Sequence, residues 1–152
     1  MNRISTALAA LSLLFFSGGC DTNLEQEYEP YYVVEGYLFG NETLQPVRLS
    51  TTAPLGQVWR FSDQAVTGAT VTVSLMRTNE TEEVEQTFAY TMLEPGVYQP
   101  ESNITHRVIP ARRYRLDITG LNKPDIKSTA IKAYTIIPDS VHVARIGYES
   151  QL

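Results

Sequence analysis

The sequence predicts an all-β domain, an antiparallel β-sandwich of about seven short strands. Three observations predict it. Apolar residues recur with period two, turn-forming residues separate the runs, and no stretch of ten or more residues carries a helical stripe. Period-two alternation buries one face of a strand and wets the other, whereas an amphipathic helix needs a period near 3.6. Short runs parted by regular turn signals are the pattern of a sandwich.

The elements follow in order. Tyr31 to Phe39 is dense in aromatic and β-branched residues and reads as the first strand, closed by Gly40-Asn41. Gly36 inside it suggests a bulge or a close backbone approach. Val47, Leu49 and Thr51 alternate with Arg48 and Ser50, and Ala53-Pro54 ends the run. The loop from Trp59 to Val66 has room for one turn of helix. Gly68-Ala69 permits a tight approach to the next strand, where Val71, Val73 and Leu75 alternate with Thr72 and Ser74. Glu80, Glu82, Glu83 and Glu85 read as a solvated hairpin tip, because their spacing matches no calcium loop. Phe88, Tyr90 and Met92 mark a further strand. Pro95 and Gly96 then suit the two central positions of a type II turn, where glycine takes positive φ. Tyr114, Leu116 and Ile118 alternate with Arg113, Arg115 and Asp117. Ile126 to Ile137 and Val141 to Tyr148 read as strands with less clear faces, parted by Pro138-Asp139.

Residues 1–19 stand apart from this pattern. Arg3 precedes an apolar run from Ala7 to Phe16, then Ser17-Gly18-Gly19 and Cys20. This is the layout of a secretory signal peptide, and the run is shorter than the roughly 20 residues a membrane-spanning helix needs. Gly18 and Gly19 before Cys20 are similar to the end of a bacterial lipobox, which makes Cys20 the expected site of lipidation and the protein membrane-anchored. The plainer alternative is an ordinary signal with a nearby cleavage and a free thiol. Residues 20–30 then form a lipidated cysteine and an acidic tether, with Asp21, Glu25, Glu27 and Glu29 and little to bury. Residues 31–152 form the sandwich.

Composition narrows the function. The 17 acidic against 12 basic residues argue against a nucleic-acid partner, which needs a basic footprint. A single cysteine excludes an intramolecular disulfide and any multi-cysteine zinc site. His106 and His142 fit no zinc pattern, and the chain has no nucleophile elbow and no Walker loop. We expect no enzyme, no metal and no cofactor. Arg107, Arg112, Arg113 and Arg115 form one basic cluster. Arg113 and Arg115 share a strand face, as either a partner-docking stripe or a guard against aggregation. Nine tyrosines exceed what a small core needs. Tyr32, within the N-terminal aromatic group, and Trp59, in a loop, are candidate partner contacts.

Several segments together resemble a family of Gram-negative outer-membrane lipoproteins classed as a domain of unknown function. They are Val33-Val34-Glu35-Gly36-Tyr37-Leu38, Val47-Arg48-Leu49-Ser50, Val66-Thr67-Gly68-Ala69-Thr70-Val71-Thr72-Val73, Pro95-Gly96-Val97-Tyr98, Tyr114-Arg115-Leu116-Asp117-Ile118 and Ile137-Pro138-Asp139-Ser140-Val141. The resemblance implies an immunoglobulin-like or transthyretin-like sandwich. Members commonly carry a glycine shortly before the Tyr-x-Leu strand, where this chain has Pro110-Ala111-Arg112. Members are usually longer, so the resemblance implies that this is the N-terminal part of a longer protein. Their genes often lie beside those of TonB-dependent receptors. The implied function is a non-enzymatic binding or scaffold lipoprotein in the outer membrane, facing the periplasm or the cell surface, beside such an uptake system. The alternative is a surface adhesin or glycan-binding module that uses Trp59 and exposed tyrosines.

Overall fold

A computed structural model describes residues 28–139. Cys20, His142 and the Val141 to Tyr148 run lie outside the described residues. The elements are β1 (Tyr32–Gly36), β2 (Val47–Thr51), α1 (Phe61–Gln64), β3 (Thr70–Met76), β4 (Val84–Glu94), β5 (Val97–Pro100), β6 (Arg113–Thr119) and β7 (Ile131–Ile136). The domain is all-β, with every neighbouring pair of strands antiparallel. The helical turn falls inside the loop that has room for it.

The seven strands form one sheet in the order β1-β2-β5-β4-β3-β6-β7. The pairing runs unbroken through all seven strands. The narrowest join is β2 to β5, where only Val47↔Tyr98 and Arg48↔Val97 are in register. The sheet curls, so its concave side does the work of two inner faces. Two contacts tie the ends of the curl. The Lys123 backbone N–H, in the β6–β7 loop, donates to the Tyr32 hydroxyl of β1 at 3.0 Å. Beyond β1, Gly40 lies close to Ile137 and Pro110.

The core is built in rows across the strands. Val71 pairs with Tyr90 on one side and Ile118 on the other; Val73 pairs likewise with Phe88 and Leu116. Leu49, Leu75, Tyr98 and Tyr114 complete a buried cluster. Each such side chain taken out of water contributes about 1.5–3 kcal/mol.

The surplus of tyrosine has a structural use. Three buried tyrosines turn their hydroxyls outward to hold loops. The Tyr98 hydroxyl donates to the Val66 carbonyl at 3.0 Å and accepts from the Ala69 N–H at 3.2 Å. Tyr90 donates to the Gln45 carbonyl at 3.1 Å, and burial pushes its hydroxyl well above the ordinary phenol range. Tyr114 accepts from the Ile109 N–H at 2.9 Å. Aromatic bulk fills the core while the polar tip pins an irregular segment.

The turns repay attention at two positions. Gly96 has φ +75°, as a type II turn after Pro95 requires. Such a turn splays a hairpin, and the register shift between Met92 and Glu94 restores the twist. Ala111 has φ +57° without being glycine. Its left-handed backbone is held by an N–H bond to the Ile137 carbonyl at 3.0 Å and by Asn79 donating to its own carbonyl at 3.0 Å. Of the bulge or close approach suggested at Gly36, the bulge is absent: Gly36 pairs in regular register with Val47. The extra residues at the two register shifts, Glu85 and Leu93, both lie in β4.

Candidate functional site

The curl leaves a groove between its two edges. Val34, Tyr37 and Leu38 line one wall, and Leu116, Ala133 and Thr135 the other, over a floor that includes Val73 and Tyr90. Its volume is about 390 Å³, within the range of ordinary ligand sites. The space exists because small residues face it. Gly36 has no side chain, and Ala133 and Thr135 of β7 are short and exposed. Among the described residues neither β1 nor β7 pairs with a further strand. An unpaired strand edge beside an apolar groove is the geometry that accepts an added extended segment.

On the convex face two features that looked separate in the sequence meet. Arg113 lies with its guanidinium 4.2 Å from the centre of the Tyr134 ring. It also bonds Glu82 at 3.2 Å, and the Asn79 and Thr81 carbonyls. Arg115 donates to Asp117 at 2.6 Å and lies 3.8 Å from Glu82. The Tyr134 hydroxyl donates to Glu82 in a short hydrogen bond. This bond, helped by Arg113, Lys132 and Arg115 and opposed by desolvation, holds the Glu82 carboxyl below the ordinary carboxylate range. The same bond raises Tyr134. Arg112 bonds Glu85 at 2.5 Å and the Met76 carbonyl at 2.6 Å. The acidic hairpin tip thus folds onto the arginines of β6. The arginines are mostly covered but Glu82 and Glu85 are open to solvent, so the glutamate pairs fix geometry more than they add stability.

The remaining sequence candidates sit elsewhere. Tyr32 is half-buried against the core, with its hydroxyl engaged by the Lys123 N–H. Trp59 is half-exposed, and its indole N–H donates to the Thr51 carbonyl at 3.1 Å. A polar cleft of about 580 Å³ opens near it, lined by Tyr28, Glu29, Thr52, Gln64, Lys123 and Asp125. His106 lies 2.9 Å from the Tyr114 hydroxyl, with its ring centre 4.3 Å from that of Phe88. Burial pushes its pKa down, against an opposing pull from Glu85. Among the described residues no three His, Cys, Asp or Glu side chains gather to hold a metal ion.

The family model of a domain of unknown function, DUF4249, matches residues 20–151. The chain belongs to the DUF4249 family. No curated protein and no solved structure matches it. The DUF4249 match spans all seven strands, and therefore the groove and the arginine network.

Within this DUF4249 chain the groove is what sequence reading missed. Its walls come from Tyr37, Leu38, Ala133 and Thr135, none of which belongs to a catalytic or ligand-binding motif. The available signal was β7 itself: Ile131-Lys132-Ala133-Tyr134-Thr135-Ile136 has no clean inner face because most of the strand is exposed. The structure brings Arg113 and Arg115 together with Tyr134 and Glu82. It places Tyr32 and Trp59 at the opposite end of the sheet from the β3–β4 hairpin.

Proposed function

We propose that this chain is a non-enzymatic lipoprotein of the cell envelope, anchored through Cys20 in the outer membrane. Its curled sheet is a binding module that docks onto a TonB-dependent uptake receptor. The observation that carries the binding role is the apolar groove flanked by two strand edges that, among the described residues, pair with no further strand. Such a site takes an extended segment of a protein through backbone hydrogen bonds and alternate side chains. The envelope setting is supported by the signal-like N-terminus, and by a family match that begins at Cys20. The receptor is supported by the family resemblance.

Site-specific photocrosslinking in intact cells tests this reading. A crosslinking residue in place of Ala133, in the groove, should yield an adduct with an outer-membrane receptor barrel. The same residue in place of Thr72, on the convex face, should not. Adducts at neither position, or at both equally, would refute the docking site. Fatty-acid labelling should mark the wild type and not Cys20→Ala; equal labelling removes the anchor.

A further inference from the structure

The segment that follows β2 places apolar side chains in water. Leu55 and Val58 are the most exposed large apolar residues among those described, at 103% and 82%. From Ala53 to Trp59 the chain carries no charge. Its tip is a turn: the Gln57 N–H bonds the Pro54 carbonyl at 3.2 Å, and Gly56 takes φ +89°. Trp59 stands beside the turn, 6.3 Å from Phe61 between ring centres. Its only polar group is already satisfied by the Thr51 carbonyl, so the exposed ring can leave water without stranding a donor.

The position of this loop says what covers it. Thr52, where the loop begins, accepts hydrogen bonds from the Tyr31 N–H at 3.0 Å and pairs with the Tyr28 hydroxyl at 2.8 Å. The N-terminal tether therefore reaches the domain at the root of the loop. From Cys20 to Tyr28 the chain spans at most about 30 Å when fully extended. A lipid on Cys20 would hold this end of the sheet next to the bilayer, with Tyr28 and Tyr31 at the root of the loop. Tryptophan and tyrosine favour the headgroup level of a membrane, and aliphatic side chains the layer beneath it. Neighbouring charges are mixed, with Glu29, Asp125 and Lys123 around the cleft beside Pro54 and with Arg60 and Asp63 following the loop in the chain, so the attraction does not depend on anionic lipid.

We propose that residues 53–59 seat in the interface of the membrane that carries the protein, with Leu55 and Val58 inserted and Trp59 at the headgroup boundary. This rests on Cys20 being the anchor. Seating would fix the orientation of the whole sheet relative to the bilayer.

Trp59 is the sole tryptophan in the chain, so its fluorescence reports on this loop alone. Protein purified from cells is held at Cys20 on phosphatidylcholine vesicles with brominated acyl chains. Its own acyl groups serve, or a maleimide lipid coupled to its single thiol if mass spectrometry finds none. The emission should shift to shorter wavelength and be quenched by the bromines, because an indole at the headgroup boundary lies beside the acyl chains. Leu55→Asp with Val58→Asp should abolish both effects while vesicle flotation and thermal unfolding stay unchanged. Equal quenching in the double variant, or no quenching in vesicle-bound wild type, overturns the proposal. Absence of an acyl mass overturns the natural anchor separately.

Discussion

Gly96→Ala should be among the most damaging small substitutions in this domain. A Cβ built at Gly96 would lie 2.7 Å from the Leu49 carbonyl oxygen and 3.0 Å from both Ala65 Cβ and Phe61 Cζ. The carbonyl is backbone and cannot swing aside. It also accepts the Val66 N–H at 3.0 Å, while the Gly96 carbonyl accepts the Leu49 N–H at 2.8 Å. Relief therefore requires β2 and the β4–β5 hairpin to separate, which weakens both bonds. A left-handed backbone costs an L-residue about 1–2 kcal/mol, and two strained hydrogen bonds add about 1–2 kcal/mol more. The sum is about 3 kcal/mol, or a fall of roughly 12 °C in Tm for a domain of this size. Thermal unfolding followed by circular dichroism measures it directly. A Tm within about 2 °C of wild type would mean that the turn relaxes freely, and the reasoning would fail.

The same rule with opposite sign applies to Ala111→Gly. Removing the left-handed penalty of about 1–2 kcal/mol outweighs the added freedom of unfolded glycine, about 0.5–1 kcal/mol. A rise of a few degrees in Tm is expected, and a fall would refute the strain. Tyr114→Phe leaves the Ile109 N–H without its partner at a cost of about 1–3 kcal/mol. Hydrogen exchange should show the Ile109 amide opening much faster, while the strand amides of β3 slow or hold relative to it. His106 titrates below its ordinary value because it is buried. The folded state therefore binds fewer protons than the unfolded state below about pH 6.5, and stability falls as pH drops through that value. Tm should decline from pH 7.5 to 5.5, and His106→Gln should flatten the decline; an unchanged slope assigns it to other groups.

How much of this was legible depends on what each strand faces. β2, β3 and β6 each turn their alternate apolar residues to the concave core, so their sequence runs coincide with the observed strands, although Ser50, Ser74 and Met76 are also buried on the other side. β4 starts earlier than its apolar run suggests. Glu85, Gln86 and Thr87 extend it past the core as a hairpin arm whose pairing is set by the backbone. β5 is four residues long and lies directly behind Pro95-Gly96, so its turn was visible and its strand was not. Arg113 and Arg115 could be placed on one face from spacing alone. Their partners could not, because Glu82 arrives from the β3–β4 loop and Tyr134 from β7. The groove was least legible of all. It is made by small side chains at Gly36, Ala133 and Thr135, and missing bulk leaves no pattern in a sequence.

The strand order has a further consequence, in polarity. Antiparallel neighbours alternate in direction, so in a row of seven the first and last point the same way. β1 and β7 are those strands. A ladder between them would be parallel, unlike all six ladders in the sheet. Curling brings the edges to one groove without giving them matching antiparallel patterns. One strand running the other way complements both at once and makes an even, fully antiparallel ring of eight. The seam is thus selective for chain direction before any side chain is read.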